Sequence, residues 1–158
     1  WHFLRDNIPG FENSRVLSTA IQIGTRESRM IDGEYCLTQE DLKNCVHFPD
    51  GIAAGNYDID IHNPEGSGTS HYFFAPGTWY TIPYRCLLPV GTKNLLVAGR
   101  CISSTHEAQA SYRIMPIVCC IGEAAGTAAG VACRAHTSLR GVDVEQVRAI
   151  LKAGGAPI

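Results

Sequence analysis

In "NYDIDIH" the alternate positions Asp58, Asp60 and His62 carry two carboxylates and one imidazole. Such groups transfer protons and bind metal ions in proteins. The residues between them, which the alternation places on the opposite face of a half-buried strand, are Tyr57, Ile59 and Ile61. Two interpretations stay open: a proton-transfer or metal site, and a solvated strand face, which is the commoner explanation of such a pattern.

Three glycines, Gly122, Gly126 and Gly130, lie four residues apart in "CCIGEAAGTAAGVAC", within a stretch that otherwise predicts one continuous helix. Each costs roughly 0.8 to 1 kcal/mol relative to alanine inside a helix, so a compensating contact is expected. Their spacing places them on one face, where a neighbouring backbone or a flat ligand can approach the helix axis closely. Tight packing on a sheet without any ligand is the alternative.

Pro116 predicts where this helix begins, because proline is tolerated only in a first turn. The start therefore falls near Arg113 to Met115. Neither Ile114 nor Met115 has a side chain that accepts hydrogen bonds from the free N–H groups of the first turn. An acceptor from outside the helix is expected.

Other elements must position these groups. Residues 15–37 are expected to be β structure, with Asp32-Gly33 as a two-residue hairpin turn. Thr38 and Asp41 predict an imperfect capping box and a short helix. The apolar run Leu95 to Ala98 predicts a strand covered on both faces, as in a parallel α/β sheet. Asp143 predicts the start of a final amphipathic helix.

Composition limits the function classes. The 158 residues are 45% hydrophobic with a formal charge of -2, which indicates a globular protein and argues against nucleic acid as a partner. Seven cysteines without a C-x-x-C pair predict reduced, buried thiols and a cytoplasmic location. The histidines show no metal-ligand spacing, so no metal is expected. Glu123 and Pro116 argue against a membrane span over 114–133.

The segment "NLLVAGRCISSTHEAQASYRIMPIVCCIGEAAGTAAG" resembles the C-terminal part of the FAD-dependent oxidoreductase family related to the glutathione reductase and fumarate reductase flavoproteins. The blocks "GTRESRMIDGEYCLTQEDL", "FPDGIAAGNYDIDIH" and "YTIPYRCLLP" are similar to successive blocks of the same family, so the resemblance covers most of residues 8–154. It implies hydride transfer between a small-molecule substrate and FAD.

The resemblance also implies an α/β fold, here an α+β fragment. Residues 1–92 would be a β-rich substrate-side segment, and residues 93–158 would supply the last strand and the glycine-rich helix of a Rossmann-like FAD-binding domain. The family's G-x-G-x-x-G is absent, since Gly66-Ser67-Gly68 is followed by His71 where a third glycine is needed. We therefore expect a fragment whose N-terminal FAD-binding half lies elsewhere, and which alone is inactive and holds little or no FAD.

The residues that the resemblance assigns to the cofactor fall in three groups. They are the turn at Gly99 and Arg100, the helix start at Arg113, Ile114 and Met115, and the helix face at Gly122, Ala125 and Gly126. Relatives usually carry an acidic residue where Arg100 stands, so a phosphate oxygen or a substrate carboxylate is its expected partner. Arg113 is expected at the flavin's N1–C2=O2 edge, or else paired with Glu107 or Glu123.

On the substrate side the resemblance favours Arg26, Arg29, Tyr84 and Arg85, with arginines holding an anionic substrate. His106 follows the cofactor turn closely and is expected to act as the catalytic acid or base. Surface ion pairs are the alternative for the arginines. The rival function is a non-catalytic packing or oligomerisation module that binds no flavin, and a homo-oligomer is compatible with either.

Overall fold

The computed structural model describes residues 1–27, 29–62 and 68–158, and within them the protein forms helices and short strands. The helices are α1 (His2–Asn7), α2 (Gln39–Lys43), α3 (His106–Tyr112), α4 (Met115–Ala135) and α5 (Val144–Ala153). The strands are β1 (Gly51–Gly55), β2 (Ile59–His62), β3 (Thr69–Tyr72) and β4 (Tyr80–Pro83). Two 3₁₀ turns follow β4 and α4, at Tyr84–Leu87 and Leu139–Gly141.

The strands form two small antiparallel sheets. In one, β1 pairs with β4, with Gly55 opposite Tyr80. In the other, β2 pairs with β3, with Ile59 opposite Tyr72. Helices and small sheets together make a mixed α/β fold, as the sequence predicts for an α+β fragment.

Helix α4 packs on the core through one of its faces. It packs against β1 and α5. Its buried residues recur every three or four positions, as on one side of an amphipathic helix: Ile117, Ile121, Ala124, Ala128, Val131 and Ala132. By length and composition alone α4 is able to cross a membrane, a test that core helices of other proteins also pass.

Local helix signals are confirmed. Thr38 accepts a hydrogen bond from the Asp41 amide while Asp41 accepts one from the Thr38 amide, which makes the capping box of α2 complete. Asp143 caps α5 through the Glu145 and Gln146 amides. Both caps depend on contacts within four residues, which explains why sequence patterns reveal them.

The β structure predicted for residues 15–37 is wrong. Within the described part of this range the backbone forms no strand, and Gly33 makes an isolated bridge to Pro89 instead of a hairpin turn. The backbone amides of Ile31 and Leu37 donate instead to carbonyls of Cys101 and Ser103. A Cβ on Gly33 would lie 2.6 Å from Ser103 Cβ, so glycine here allows a close approach rather than a turn.

The strand predicted at Leu95 to Ala98 is also wrong. Val97 donates one backbone hydrogen bond to Leu87, but no ladder forms and Leu95 is exposed. A central parallel strand needs partner strands on both edges, and the described residues supply none at this place.

The prediction that the cysteines are buried is wrong for most of them. All seven are free. Only Cys86 is fully buried, whereas Cys36, Cys119 and Cys133 are exposed. Of the Gly66-Ser67-Gly68 segment, residues 66 and 67 lie outside the described residues, as does the side chain of His62.

Candidate functional site

The N-terminus of α4 lies at the centre of the candidate site. Helix α3 ends at Tyr112 with Arg113 as its C-cap, and Ile114 follows in an extended conformation. Helix α4 begins at Met115 with Pro116 in its first turn. The start is therefore where the sequence predicts it. Ile114 makes no side-chain capping bond, so the first-turn amides direct their partial positive charge outward.

Three arginines surround this helix start. A cavity of about 470 Å³, which we call the arginine cavity, is lined by Arg26, Tyr57, Arg100, Arg113, Ile114, Met115 and Pro116. No carboxylate is among these lining residues. Guanidinium groups and helix N-termini both attract anions, so the cavity suits a negatively charged group.

Arg100 forms hydrogen bonds to two of the segments around the arginine cavity. Its Nε donates to the carbonyl of Arg113 at 2.8 Å and its Nη1 donates to the carbonyl of Thr25 at 3.0 Å. The preceding Gly99 has a φ of 100°, a conformation that glycine adopts without strain. Arg100 thus ties the segment around Thr25 to the junction between α3 and α4.

Arg113 is buried and its guanidinium contacts β2. Its Nη2 donates to the carbonyl of Asp60 at 3.0 Å and lies 3.8 Å from Asp60 Oδ2. Burial, together with the neighbouring Arg26, lowers the pKa of Arg113, although a guanidinium stays charged at neutral pH. The expected alternative partners Glu107 and Glu123 are wrong, because the acidic residue that the fold brings to Arg113 is Asp60.

A second cavity adjoins the first and shares Arg26 and Arg113 with it. This histidine cavity has a volume of about 450 Å³, and its other polar lining side chains are Thr25, Glu27, Asp60 and His106. His106 is the first residue of α3, and its Nδ1 donates to Glu27 Oε1, since a carboxylate can only accept. With the Nδ1 proton on Glu27, Nε2 is the ring nitrogen outside this pair.

A third, smaller cavity of about 100 Å³ contains Arg29. Its other lining residues are Thr25, Arg26, Glu27, Arg100 and Cys101. Four of the five arginines predicted for the cofactor or the substrate therefore line one connected region, in which Arg26 borders all three cavities.

Tyr84 and Arg85 do not line any of these three cavities. Tyr84 is buried and its hydroxyl donates to the carbonyl of Leu139 at 2.9 Å, while burial raises its pKa to about 12. Arg85 donates to Asp50 at 2.9 Å and lies over the ring of Tyr35. For Arg85 the ion-pair alternative agrees with the geometry.

The glycine face of α4, which comprises Gly122, Gly126 and Gly130, points away from the core. A Cβ on Gly122 or Gly126 would meet nothing within 4 Å, and both residues are exposed. Ala125 is half-buried beside them. Within the described residues this face has no packed neighbour, so the close contact predicted from the glycine spacing would have to come from another molecule or another segment of the protein.

Glu27 is a residue of this site that the sequence pattern does not predict, and for Asp60 the pattern allows both a chemical role and a solvated strand face. Asp60 is 8% exposed, so this carboxylate does not lie on a solvated surface. The alternation of Asp58 and Asp60 was the available signal for Asp60. Glu27 carried no signal beyond lying next to Arg26, because its contact with His106 spans 79 residues.

Comparison with known proteins adds one finding. A family model described as FAD dependent oxidoreductase matches residues 1–151, nearly the whole sequence. No curated protein and no solved structure matches the sequence.

Proposed function

The chain belongs to the FAD-dependent oxidoreductase family, and on that premise we propose that it forms the flavin-facing and substrate-side part of such an enzyme. The arginine cavity at the N-terminus of α4 carries this proposal. It combines three arginine side chains with a helix start that has no side-chain cap. No carboxylate is among its described lining residues, although Asp60 lies 3.8 Å from the guanidinium groups of Arg26 and Arg113.

The residues of this cavity fit the ring end of FAD. Reduction places negative charge on the flavin, and the cavity offers Arg113 and the first-turn amides of α4 to stabilise that charge. Met115 and Pro116 are exposed at its edge and supply apolar surface for a flat ring. When bound, FAD would supply the acceptor for a hydride.

The pyrophosphate end of FAD requires other residues. The G-x-G-x-x-G turn that holds it in dinucleotide-binding βαβ units does not occur in these 158 residues. We therefore place these residues after such a unit in the full-length protein. The open glycine face of α4 is the surface on which that unit, or the cofactor, would lie.

His106 and Glu27 supply acid–base chemistry next to the arginine cavity. Glu27 orients the imidazole through Nδ1, and Nε2 is the atom that accepts or returns a substrate proton. The two cavities share Arg26 and Arg113, so a substrate in the histidine cavity would lie beside the proposed flavin position.

The test replaces Arg113 with alanine in the full-length protein. Loss of its positive charge should destabilise the reduced cofactor by about 1 to 3 kcal/mol and lower the two-electron midpoint potential by on the order of 20 to 60 mV. Arg134→Ala makes the same charge change near the other end of α4 and should leave the potential in place. An unchanged potential in Arg113→Ala, with FAD fully bound, would remove Arg113 from the flavin site.

The non-catalytic module remains the second candidate, and the exposed glycine face favours it because oligomer contacts also use small residues. FAD content separates the two candidates. If the full-length protein is purified without flavin and does not take up added FAD, the module is the better description.

A further inference from the structure

The charges that line the histidine cavity balance one another. Among the described residues that line it, the cations Arg26 and Arg113 stand against the anions Glu27 and Asp60. The arginine cavity differs, because its described lining residues add Arg100 to Arg26 and Arg113, which lie beside Asp60, and include no carboxylate of their own. Two adjoining cavities therefore have different electrostatic character.

Contacts within the histidine cavity maintain that balance. Asp60 Oδ2 lies 3.8 Å from Nη2 of both Arg26 and Arg113, and Glu27 accepts from His106. The Asp60 and Arg113 side chains are 12% and 10% exposed, whereas those of Glu27, His106 and Arg26 are 30%, 42% and 59% exposed. Water is therefore largely excluded only from the side of the cavity that Asp60 and Arg113 form.

An anionic ligand would add an unbalanced negative charge beside Glu27 and Asp60, which is costly in a partly buried site. A neutral molecule with hydroxyl groups avoids this cost. Its hydroxyls can donate to the carboxylates and accept from the guanidinium groups, so that both kinds of lining group are used.

We propose that the histidine cavity binds a neutral substrate bearing hydroxyl groups, an alcohol or polyol, and that His106 Nε2 takes the hydroxyl proton as the carbinol is oxidised to a carbonyl. The inference rests on the proposed function, in which FAD is the oxidant. The C–H bond and the O–H bond of the carbinol break, the hydride leaves to FAD, the proton leaves to His106, and a C=O bond forms. This substrate class replaces the anionic one that the arginines predict from sequence.

A titration that does not depend on turnover tests the charge balance. In full-length protein labelled at histidine Cε1, the NMR signal of His106, assigned with His106→Gln, is followed as acetate is added. We expect no saturable shift in the wild type and a saturable shift in Asp60→Asn, which lacks one negative charge. Glu123→Gln, which makes the same charge change on α4 outside the cavity lining, should behave like the wild type. If Asp60→Asn does not fold, Glu27→Gln makes the same charge change in the lining.

A saturable acetate shift in the wild type, or none in the variant that lacks a lining carboxylate, would overturn the proposal. Anaerobic reduction of the FAD-loaded protein by propane-1,2-diol and by lactate, which share the carbinol but differ in charge, tests the substrate directly. Faster reduction by the diol supports the proposal, and faster reduction by lactate overturns it. A full-length protein that binds no FAD would instead overturn the proposed function, and the acetate titration would still decide the character of the cavity.

Discussion

At the scale of single residues, the candidate site depends on pairs that lie far apart in the sequence. Arg113 contacts Asp60, and His106 contacts Glu27. Arg113 follows the C-terminal end of α3 and contacts strand β2. His106 is at the N-terminal end of α3 and contacts the segment before β1. The short helix α3 is therefore the support that holds a cation and an imidazole in adjoining cavities.

The thiols provide a residue-scale prediction. Burial raises the pKa of Cys86 to about 12, so at pH 8 its thiolate is scarce as well as inaccessible. Iodoacetamide at pH 8 should modify the exposed Cys36, Cys119 and Cys133 in the folded protein and leave Cys86 unmodified until denaturant is added. Peptide mapping by mass spectrometry measures this. Modification of Cys86 as fast as Cys119 without denaturant would contradict the described burial.

At the scale of elements, α4 has two different faces. One side buries Ile117, Ile121 and Ala128 against the core, and the opposite side exposes Gly122 and Gly126. Packing of the first face holds the helix in place, so its uncapped N-terminus is held beside the arginines. The second face bears the conformational cost of glycine without any contact within the described residues.

Replacing an exposed glycine tests whether the glycine face contacts another part of the protein or the cofactor. Gly126→Ala should raise the free energy of unfolding of the 158-residue protein by about 0.5 to 1 kcal/mol, since alanine favours the helix and its Cβ meets nothing. In the full-length protein the same change should reduce FAD content if the cofactor or its domain lies on this face. Urea unfolding and flavin absorbance are the measurements.

Gly55→Ala is the matched control, because a Cβ there would lie 2.7 Å from Ile117 Cδ1 and Tyr80 Oη. It should destabilise the protein by about 1 to 3 kcal/mol through overpacking. A destabilising Gly126→Ala in the 158-residue protein would show that the glycine face already has a neighbour there.

At the scale of the whole molecule, apolar surface is left uncovered on the N-terminal segment. Leu17, Ile21 and Ile23 are almost fully exposed, and Met115 is exposed at the start of α4. Apolar residues grouped in one segment commonly mark contact with another domain or subunit. The occupant that we propose for this surface is the FAD-binding unit of the proposed function.

The 158-residue protein alone should therefore self-associate. Light scattering should show an average mass that rises with protein concentration, and the triple change Leu17→Ser, Ile21→Ser and Ile23→Ser should reduce this rise. Ile150→Ser removes a comparable exposed residue from α5 and should have less effect. A strictly monomeric wild type at high concentration would count against this contact surface.

The sequence by itself determined the family and the features set by near neighbours. The match over residues 1–151 confirms the FAD-dependent oxidoreductase family. The start of α4 and the capping box of α2 follow from Pro116, Thr38 and Asp41. These local signals depend on contacts within about one helical turn, which residue type and spacing encode directly.

Tertiary structure alone decided which charged groups meet. It brings Arg26, Arg100 and Arg113 to the start of one helix. Glu27 and Asp60 line the same cavity as His106. Arg85 forms an ion pair with Asp50 instead. It also leaves Leu95 to Ala98 without a ladder, because a strand forms only where partner strands lie beside it. Such long-range pairings depend on how the elements pack together, and local sequence patterns do not encode that packing.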